Sequence, residues 1–198
     1  WYVHISGNNI SIGRCFTAIG EPGNRVEVGV WGRKDGEGSI RIGDCVLMSP
    51  GSRLSASDEI VLGNGVMLAN GAYVTDSDWH DIYDRTKTVG ESKPVYIGDN
   101  VWIGDGATVC KGVTIGENSV IGAGSLVASD IPANVIAAGN PAKVIKPLDP
   151  DRELIKRESL FADPAALQKK LDDIDAYVLT PNTLFGWLRT KYFPKRGD

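Results

Sequence analysis

The chain has 198 residues, 42% of them hydrophobic, and a net charge of −4. That is enough apolar material for one soluble domain with a sizeable core, and the acidic balance leaves no electrostatic footprint for nucleic acid. No apolar run reaches the length of a membrane span.

Residues 1–39 carry a weak repeat, Ile10-Ser-Ile12-Gly13, and then a stretch rich in glycine and charge. Within it Val26, Val28 and Val30 alternate like a strand or a hairpin arm. The chain begins at Trp1 rather than Met, so further N-terminal sequence is expected ahead of it, and these residues alone leave a lost signal peptide open. Cys15, Cys45 and Cys110 are an odd set with no CxxC spacing. They read as small residues in a reducing cytosol, which places the protein in the cytoplasm.

From residue 40 to 146 an aliphatic residue returns every sixth position. Ile42, Met48 and Leu54 start the beat, and Leu62, Leu68 and Val74 continue it. The longer step from Leu54 to Leu62 places a two-residue insertion at Asp58-Glu59. The beat fails over the polar stretch 75–94, then resumes at Ile97, Ile103, Val109, Ile115, Ile121 and Val127. Each of these six is followed by a small residue: Gly98, Gly104, Cys110, Gly116, Gly122 and Ala128. A helix needs apolar spacing near 3.6 and a half-buried strand a spacing of 2. Period six is the mark of an all-β solenoid, a parallel β-helix in which three hexads close one triangular coil. The aliphatic side chain points inward, and Ile115 is expected between Ile97 and Ala133. The 24 glycines suit a fold made of tight corners.

After Pro147 the pattern turns helical, giving a C-terminal α-helical extension over 147–198. Asp163-Pro164 reads as an N-cap and first helical residue, and Thr180-Pro181 as a second start. Phe185, Trp187, Tyr192 and Phe193, with Arg189, Lys191, Lys195 and Arg196, permit peripheral contact with a membrane surface. The better reading is a cap over the solenoid end or a subunit contact.

The chemistry gathers in the 75–94 loop. His80 is one of only two histidines, and it lies in Asp78-Trp-His-Asp81. Imidazole is the natural general base near neutral pH. A solvated loop histidine among aspartates is the competing reading. Asp78 and Asp81 are the carboxylates placed to orient the ring or tune it. His4 reads as structural. No metal is expected, because zinc needs three or four clustered ligands and the histidines stand apart. Trp102 precedes the inward Ile103, so it points outward, as interface and pocket-wall aromatics do. Asn70 lies one hexad before the loop. Its amide could bond an acceptor or hold the loop, and an asparagine ladder or corner role is the alternative. Asn70, Trp102 and Asp81 are the candidate substrate-binding residues.

The segments Asn100-Val-Trp-Ile-Gly104, Gly112-Val-Thr-Ile-Gly116-Glu-Asn-Ser-Val-Ile-Gly-Ala-Gly-Ser125, Asp130-Ile-Pro132 and Ala137-Ala-Gly-Asn-Pro-Ala-Lys-Val-Ile145 resemble the hexapeptide-repeat acyltransferases. The nearest group is the maltose, galactoside, nodulation and xenobiotic O-acetyltransferases. The resemblance is dense from about Gly63 to Lys146. It implies a left-handed solenoid, an exception to the usual crossover hand, and a homotrimer with sites between neighbouring chains. It implies acetyl-CoA as co-substrate, an acceptor saccharide, and a loop histidine, here His80, as base in a direct transfer. Gly104-Asp105 match the segment that supplies an oxyanion donor. Some relatives have a serine where this chain has Asp105, whose ionised side chain cannot donate, so the amide must serve. Ala123, Gly124 and Ala128 match the pantetheine contacts, and Lys143 and Lys146 the phosphate contacts. The implied activity is O-acetyl transfer to a sugar or polysaccharide precursor. N-acetylation of an amino sugar and a non-catalytic assembly role are the alternatives.

Overall fold

The computed structural model describes residues 2–31, 38–179 and 183–193. The period-six beat becomes three sheets wound into a left-handed β-helix. The first sheet holds Val3–Ser6, Val26–Val30, Arg53–Ala56, Tyr73–Thr75, Thr108–Val109 and Leu126–Val127. The second holds Ile10–Ile12, Ser39–Ile42, Glu59–Leu62, Val95–Ile97 and Thr114–Ile115. The third holds Thr17–Ala18, Leu47–Met48, Met67–Leu68, Trp102–Ile103, Val120–Ile121, Val135–Gly139 and Ala142–Pro147. All pairings between these strands are parallel except the last, where Ala142–Pro147 returns antiparallel on Val135–Gly139.

The inward residues stack in columns. Val28, Leu54, Val74, Val109 and Val127 form one in the first sheet. Ile42, Leu62, Ile97 and Ile115 form one in the second. Met48, Leu68, Ile103, Ile121 and Ala137 form one in the third. All of these side chains are buried, and each aliphatic one contributes about 1.5–3 kcal/mol through burial.

The three corners differ in what they tolerate. From the second sheet to the third the step is uniform: Ile12 to Ala18, Ile42 to Met48, Leu62 to Leu68, Ile97 to Ile103, Ile115 to Ile121. This second corner is stapled by an asparagine ladder. Asn100 Nδ2 donates to Asn118 Oδ1 at 3.1 Å, and Asn118 Nδ2 to Asn134 Oδ1 at 2.8 Å. All three asparagines hold positive φ, which this side chain accepts more readily than most. The first corner, from the first sheet to the second, absorbs nearly all the variation in length. Its steps are Val28 to Ile42, Leu54 to Leu62, Val74 to Ile97 and Val109 to Ile115.

Several expectations need correction. Among the described residues the solenoid starts with Val3–Ser6, Ile10–Ile12 and Thr17–Ala18 as a full coil, and Val26–Val30 is a strand of the next. The small bulge sits at Ser57-Asp58, because Glu59 is already in strand. Ile115 stacks on Ile97 as expected, but its other neighbour is Ile131 and not Ala133. The final coil is two residues short at the first corner, where Asp130 Oδ1 accepts the Thr114 N–H at 2.7 Å and fastens the shortened turn. The solenoid unit also runs past Pro147 to Arg157. Leu148 N donates to Asn134 O at 2.8 Å and Arg157 Nε to Cys45 O at 2.9 Å, so this segment is tied to the second corner at both ends.

Residues 158–198 form a separate unit. Helix α1 (Pro164–Leu179) starts as read from the sequence, with Asp163 Oδ1 accepting from Ala165 N and Ala166 N, both at 3.0 Å. Helix α2 (Leu184–Tyr192) is capped by Thr183, whose Oγ1 accepts from Gly186 N at 2.9 Å. The expected start at Thr180-Pro181 lies outside the described residues, as do Lys195 and Arg196. Phe185, Trp187, Tyr192 and Phe193 are exposed within this unit. No described helix is long and apolar enough to cross a membrane.

Ile115 is 1% exposed, so Ile115→Asp would bury a charge with no partner. The variant is expected to lose cooperative unfolding by circular dichroism. A soluble variant with a normal melt would show that the column is not the core.

Candidate active site

The 76–94 loop leaves the first corner as a paired stem. Ser77 and Ser92 bridge antiparallel, and their hydroxyls lie 2.6 Å apart. Asp78 N donates to Glu91 O at 2.9 Å and Gly90 N to Asp78 O at 2.7 Å. At its base the buried Asp76 carboxylate accepts from Ser57 N at 2.8 and 3.1 Å and from Asp58 N at 2.8 Å. The insertion of one coil is thus anchored on the bulge of the coil before it. Burial pushes the Asp76 carboxyl up, although the three amide bonds pull it down.

His80 lies beyond the stem and is exposed. Its Nδ1 is 3.3 Å from Lys87 O. With the Nδ1 proton donated to that carbonyl, Nε2 carries the lone pair and is available to take a proton. Asp78 does not orient this ring. Its Oδ2 accepts from Lys111 Nζ at 2.6 Å, because Lys111 reaches the stem from the next coil at the same corner. Asp81 is also committed locally. Its Oδ1 accepts from Tyr83 N and Asp84 N at 2.9 and 2.8 Å, and those bonds hold its carboxyl below the usual range.

Beside the loop the outward surface of the first sheet forms a cavity of about 340 Å³. Its wall is a column of outward residues in register, His4, Glu27, Arg53 and Tyr73, on four successive coils. Trp79 Nε1 donates to Tyr73 Oη at 3.0 Å, and the Trp79 ring meets Trp31 edge-on at 6.4 Å between centroids. The Arg53 guanidinium lies 4.0 Å above the Tyr73 ring. Gly29 keeps the cavity open, since a Cβ there would stand 3.0 Å from Trp31 Nε1. The cavity therefore combines aromatic walls with a guanidinium, a carboxylate and an imidazole, and Trp79 in its wall is the residue before His80. Sequence reasoning missed Arg53, Tyr73, Trp79, Trp31 and Glu27, and it took His4 as structural. The available signal was the residue preceding each inward aliphatic, Arg53 before Leu54 and Tyr73 before Val74.

The remaining candidates stand elsewhere on the coil. Asn70, Gly104, Asp105, Ala123 and Gly124 lie together at the third corner, from the third sheet to the first. There Gly106 N donates to Asn70 O at 2.8 Å and Gly124 N to Asp105 O at 2.7 Å. Asn70 is a corner residue outside the asparagine ladder. A Cβ on Gly104 would meet Ile121 O at 2.6 Å, so glycine is required at this position of the corner. The Gly104 amide donates to Ile121 O at 2.9 Å, whereas the Asp105 amide has no acceptor among the described residues. Ala128 follows Val127 and belongs to the first corner, away from Ala123 and Gly124. Lys143 and Lys146 are exposed on the returning strand, opposite Ala138 and Ile136. Trp102 is 47% exposed on the outer surface of the third sheet. One side of a coil is about six residues, at most roughly 20 Å when extended. A single chain therefore spreads the loop, the third-corner column and Trp102 over different edges and faces.

Comparison with known proteins agrees with this architecture. The family model described as bacterial transferase hexapeptide (six repeats) matches residues 94–129. A hexapeptide-repeat containing acetyltransferase from Vibrio cholerae is 28% identical, with a TM-score of 0.56 over 69% of this chain and 73% of its own. A maltose O-acetyltransferase from Clostridium difficile is 31% identical over 74% of this chain and 67% of its own, with a TM-score of 0.46. An N-acyltransferase from Bacillus cereus shares the fold at 17% identity, with a TM-score of 0.57 over 92% of this chain and 86% of its own. No curated protein matches. Residues 94–129 thus carry the hexapeptide repeats of bacterial transferases, and the likeness to the Vibrio cholerae protein supports an acyltransferase.

Asp76→Asn keeps the shape but turns an NH₂ toward two amide donors, leaving part of that set unsatisfied. A loss of about 1–3 kcal/mol is expected in urea unfolding. An unchanged midpoint would mean that the anchor contributes nothing.

Proposed function

We propose that the protein is an acetyl-CoA-dependent O-acetyltransferase acting on a hydroxyl of a saccharide acceptor by direct transfer. The observation that carries this reading is the imidazole of His80, fixed by the Lys87 carbonyl and next in sequence to the aromatic wall of the cavity. A pyranose ring suits that cavity, since its apolar face stacks on indole while Arg53 and Glu27 meet its hydroxyls.

In the reaction His80 Nε2 takes the proton of the acceptor hydroxyl, and the oxygen attacks the thioester carbonyl. The negative charge moves to the carbonyl oxygen, where the unengaged Asp105 amide is the donor this chain offers. Collapse breaks the carbon–sulfur bond, and the imidazolium returns its proton to the CoA thiolate. Ala123 and Gly124 present a smooth corner for the pantetheine arm, and Ala128 offers a second small surface at the first corner. Lys143 and Lys146 supply positive charge for the phosphates.

Assembly belongs to the same reading. The loop and the third-corner column lie on different edges of one solenoid, so a trimer that sets the loop of one copy beside the Trp102 face of the next completes the site. Helices α1 and α2, with their exposed aromatics, would serve as a subunit contact rather than a membrane anchor. The protein acts in the cytoplasm under this reading. Glu27 gives the amine-acceptor alternative its one foothold, because a carboxylate in the cavity can hold an ammonium group. Release of CoA with hydroxyl sugars and with amino sugars separates the two.

His80→Ala is expected to lower kcat by roughly 100-fold or more, the scale of a lost general base, with little change in acetyl-CoA binding. Near-normal turnover on the best acceptor would end the mechanism. Light scattering at micromolar concentration is expected to read a trimer. A stable, active monomer would remove the second chain from the site.

A further inference from the structure

Lys111 belongs neither to the acceptor cavity nor to the third-corner column, yet it makes two of the shortest polar contacts in the chain. It follows Val109 and Cys110 at the first corner, one coil beyond the strand from which the loop departs. Its side chain is 19% exposed. Its ammonium lies 2.6 Å from Asp78 Oδ2 and 2.7 Å from Glu91 Oε2. Asp78 is on the outgoing arm of the stem and Glu91 on the returning arm, so one cation bridges both arms and ties them to the solenoid. The Lys93 ammonium also reaches Glu91, at 3.1 Å, but it sits on the loop itself and does not span the two arms. The Lys111 and Lys93 bonds hold the Glu91 carboxyl below its ordinary range.

The clamp connects to the imidazole by a short path. Gly90 N donates to Asp78 O, and Gly90 packs so closely that a Cβ there would be 2.5 Å from His80 O. The backbone of His80 therefore rests on the clamped end of the stem. The loop and the next coil also touch where Gly112 N donates to Lys93 O at 3.1 Å, but that bond engages the returning arm alone, whereas the Lys111 ammonium reaches both arms.

The geometry points to Lys111 as a positioning residue that holds the His80 end of the loop in place by clamping both arms of the loop stem to the solenoid. The inference rests on His80 being the base. It differs from that reading in its own prediction, which concerns the order of the loop whether or not chemistry occurs.

The test uses the full chain and two variants, Lys111→Met and Lys111→Arg, each measured by amide hydrogen exchange and by steady-state kinetics beside His80→Ala. In Lys111→Met the stem amides of Asp78 and Gly90 are expected to exchange at least tenfold faster, with the ladder amides of Gly104 and Gly122 unchanged as a control for folding. Turnover is expected to fall by about 10- to 100-fold, the scale on which small misplacements of reacting groups act, with KM for acetyl-CoA within about twofold. Lys111→Arg, whose fork can still span two carboxylates, is expected to recover most of both effects. Unchanged stem exchange in Lys111→Met overturns the clamp. Loosened exchange with normal turnover, while His80→Ala is inactive, overturns the positioning role and leaves the base intact. Near-normal turnover in His80→Ala overturns the reading of the base and the positioning role with it.

Discussion

Everything in this molecule depends on keeping inward aliphatic side chains in register from coil to coil. A column such as Leu62, Ile97 and Ile115 is dry and closely packed, and a shift of one residue would turn its members out to solvent. Chain length can therefore change only where the backbone leaves one sheet for the next. The second corner is spoken for by the ladder of Asn100, Asn118 and Asn134. The first corner is free, and it is where the long insertions occur, one above another. The stacking that makes the core thus also decides where a functional loop can be built.

The loop is assembled from charge and hydrogen bonds rather than from apolar burial. Asp76 fastens it to the coil below and Lys111 to the coil above, while the stem pairs with itself between them. Such a loop can carry exposed His80 and still hold it in one place, which a loop ordered by its own core could not do without burying the imidazole. The cavity beneath follows the same logic. It uses outward positions of four coils, whose backbone is already rigid, so Arg53, Tyr73 and Glu27 need no further support to stay aligned.

Inward residues were legible in the sequence because one apolar residue in six leaves a period that local reading can count. Insertions were legible where the count broke, at Leu54 to Leu62 and at Val74 to Ile97. The shortened last turn was not, since Ile131 and Ala133 are both apolar and only the bridge to Ile115 decides between them. His80 could be placed in the loop, but its partner could not. A carbonyl seven residues on leaves no trace in composition, so Asp78 looked the better candidate while Lys111 held it. The cavity was the least legible part. His4, Glu27, Arg53 and Tyr73 become neighbours only after three unequal insertions are subtracted, and Trp31 and Trp79 meet across two of them.

The central claim is that one arrangement of loop, cavity and corner brings a base, an acceptor hydroxyl and a thioester together. A crystal structure of the full chain with CoA and a bound acceptor saccharide tests it most directly. The account expects one acceptor oxygen within about 2.6–3.2 Å of His80 Nε2, its ring against Trp79, and the CoA sulfur beside the Asp105 amide of the same or a neighbouring chain. A saccharide bound elsewhere, or a CoA thiol remote from both His80 and Asp105, would contradict it.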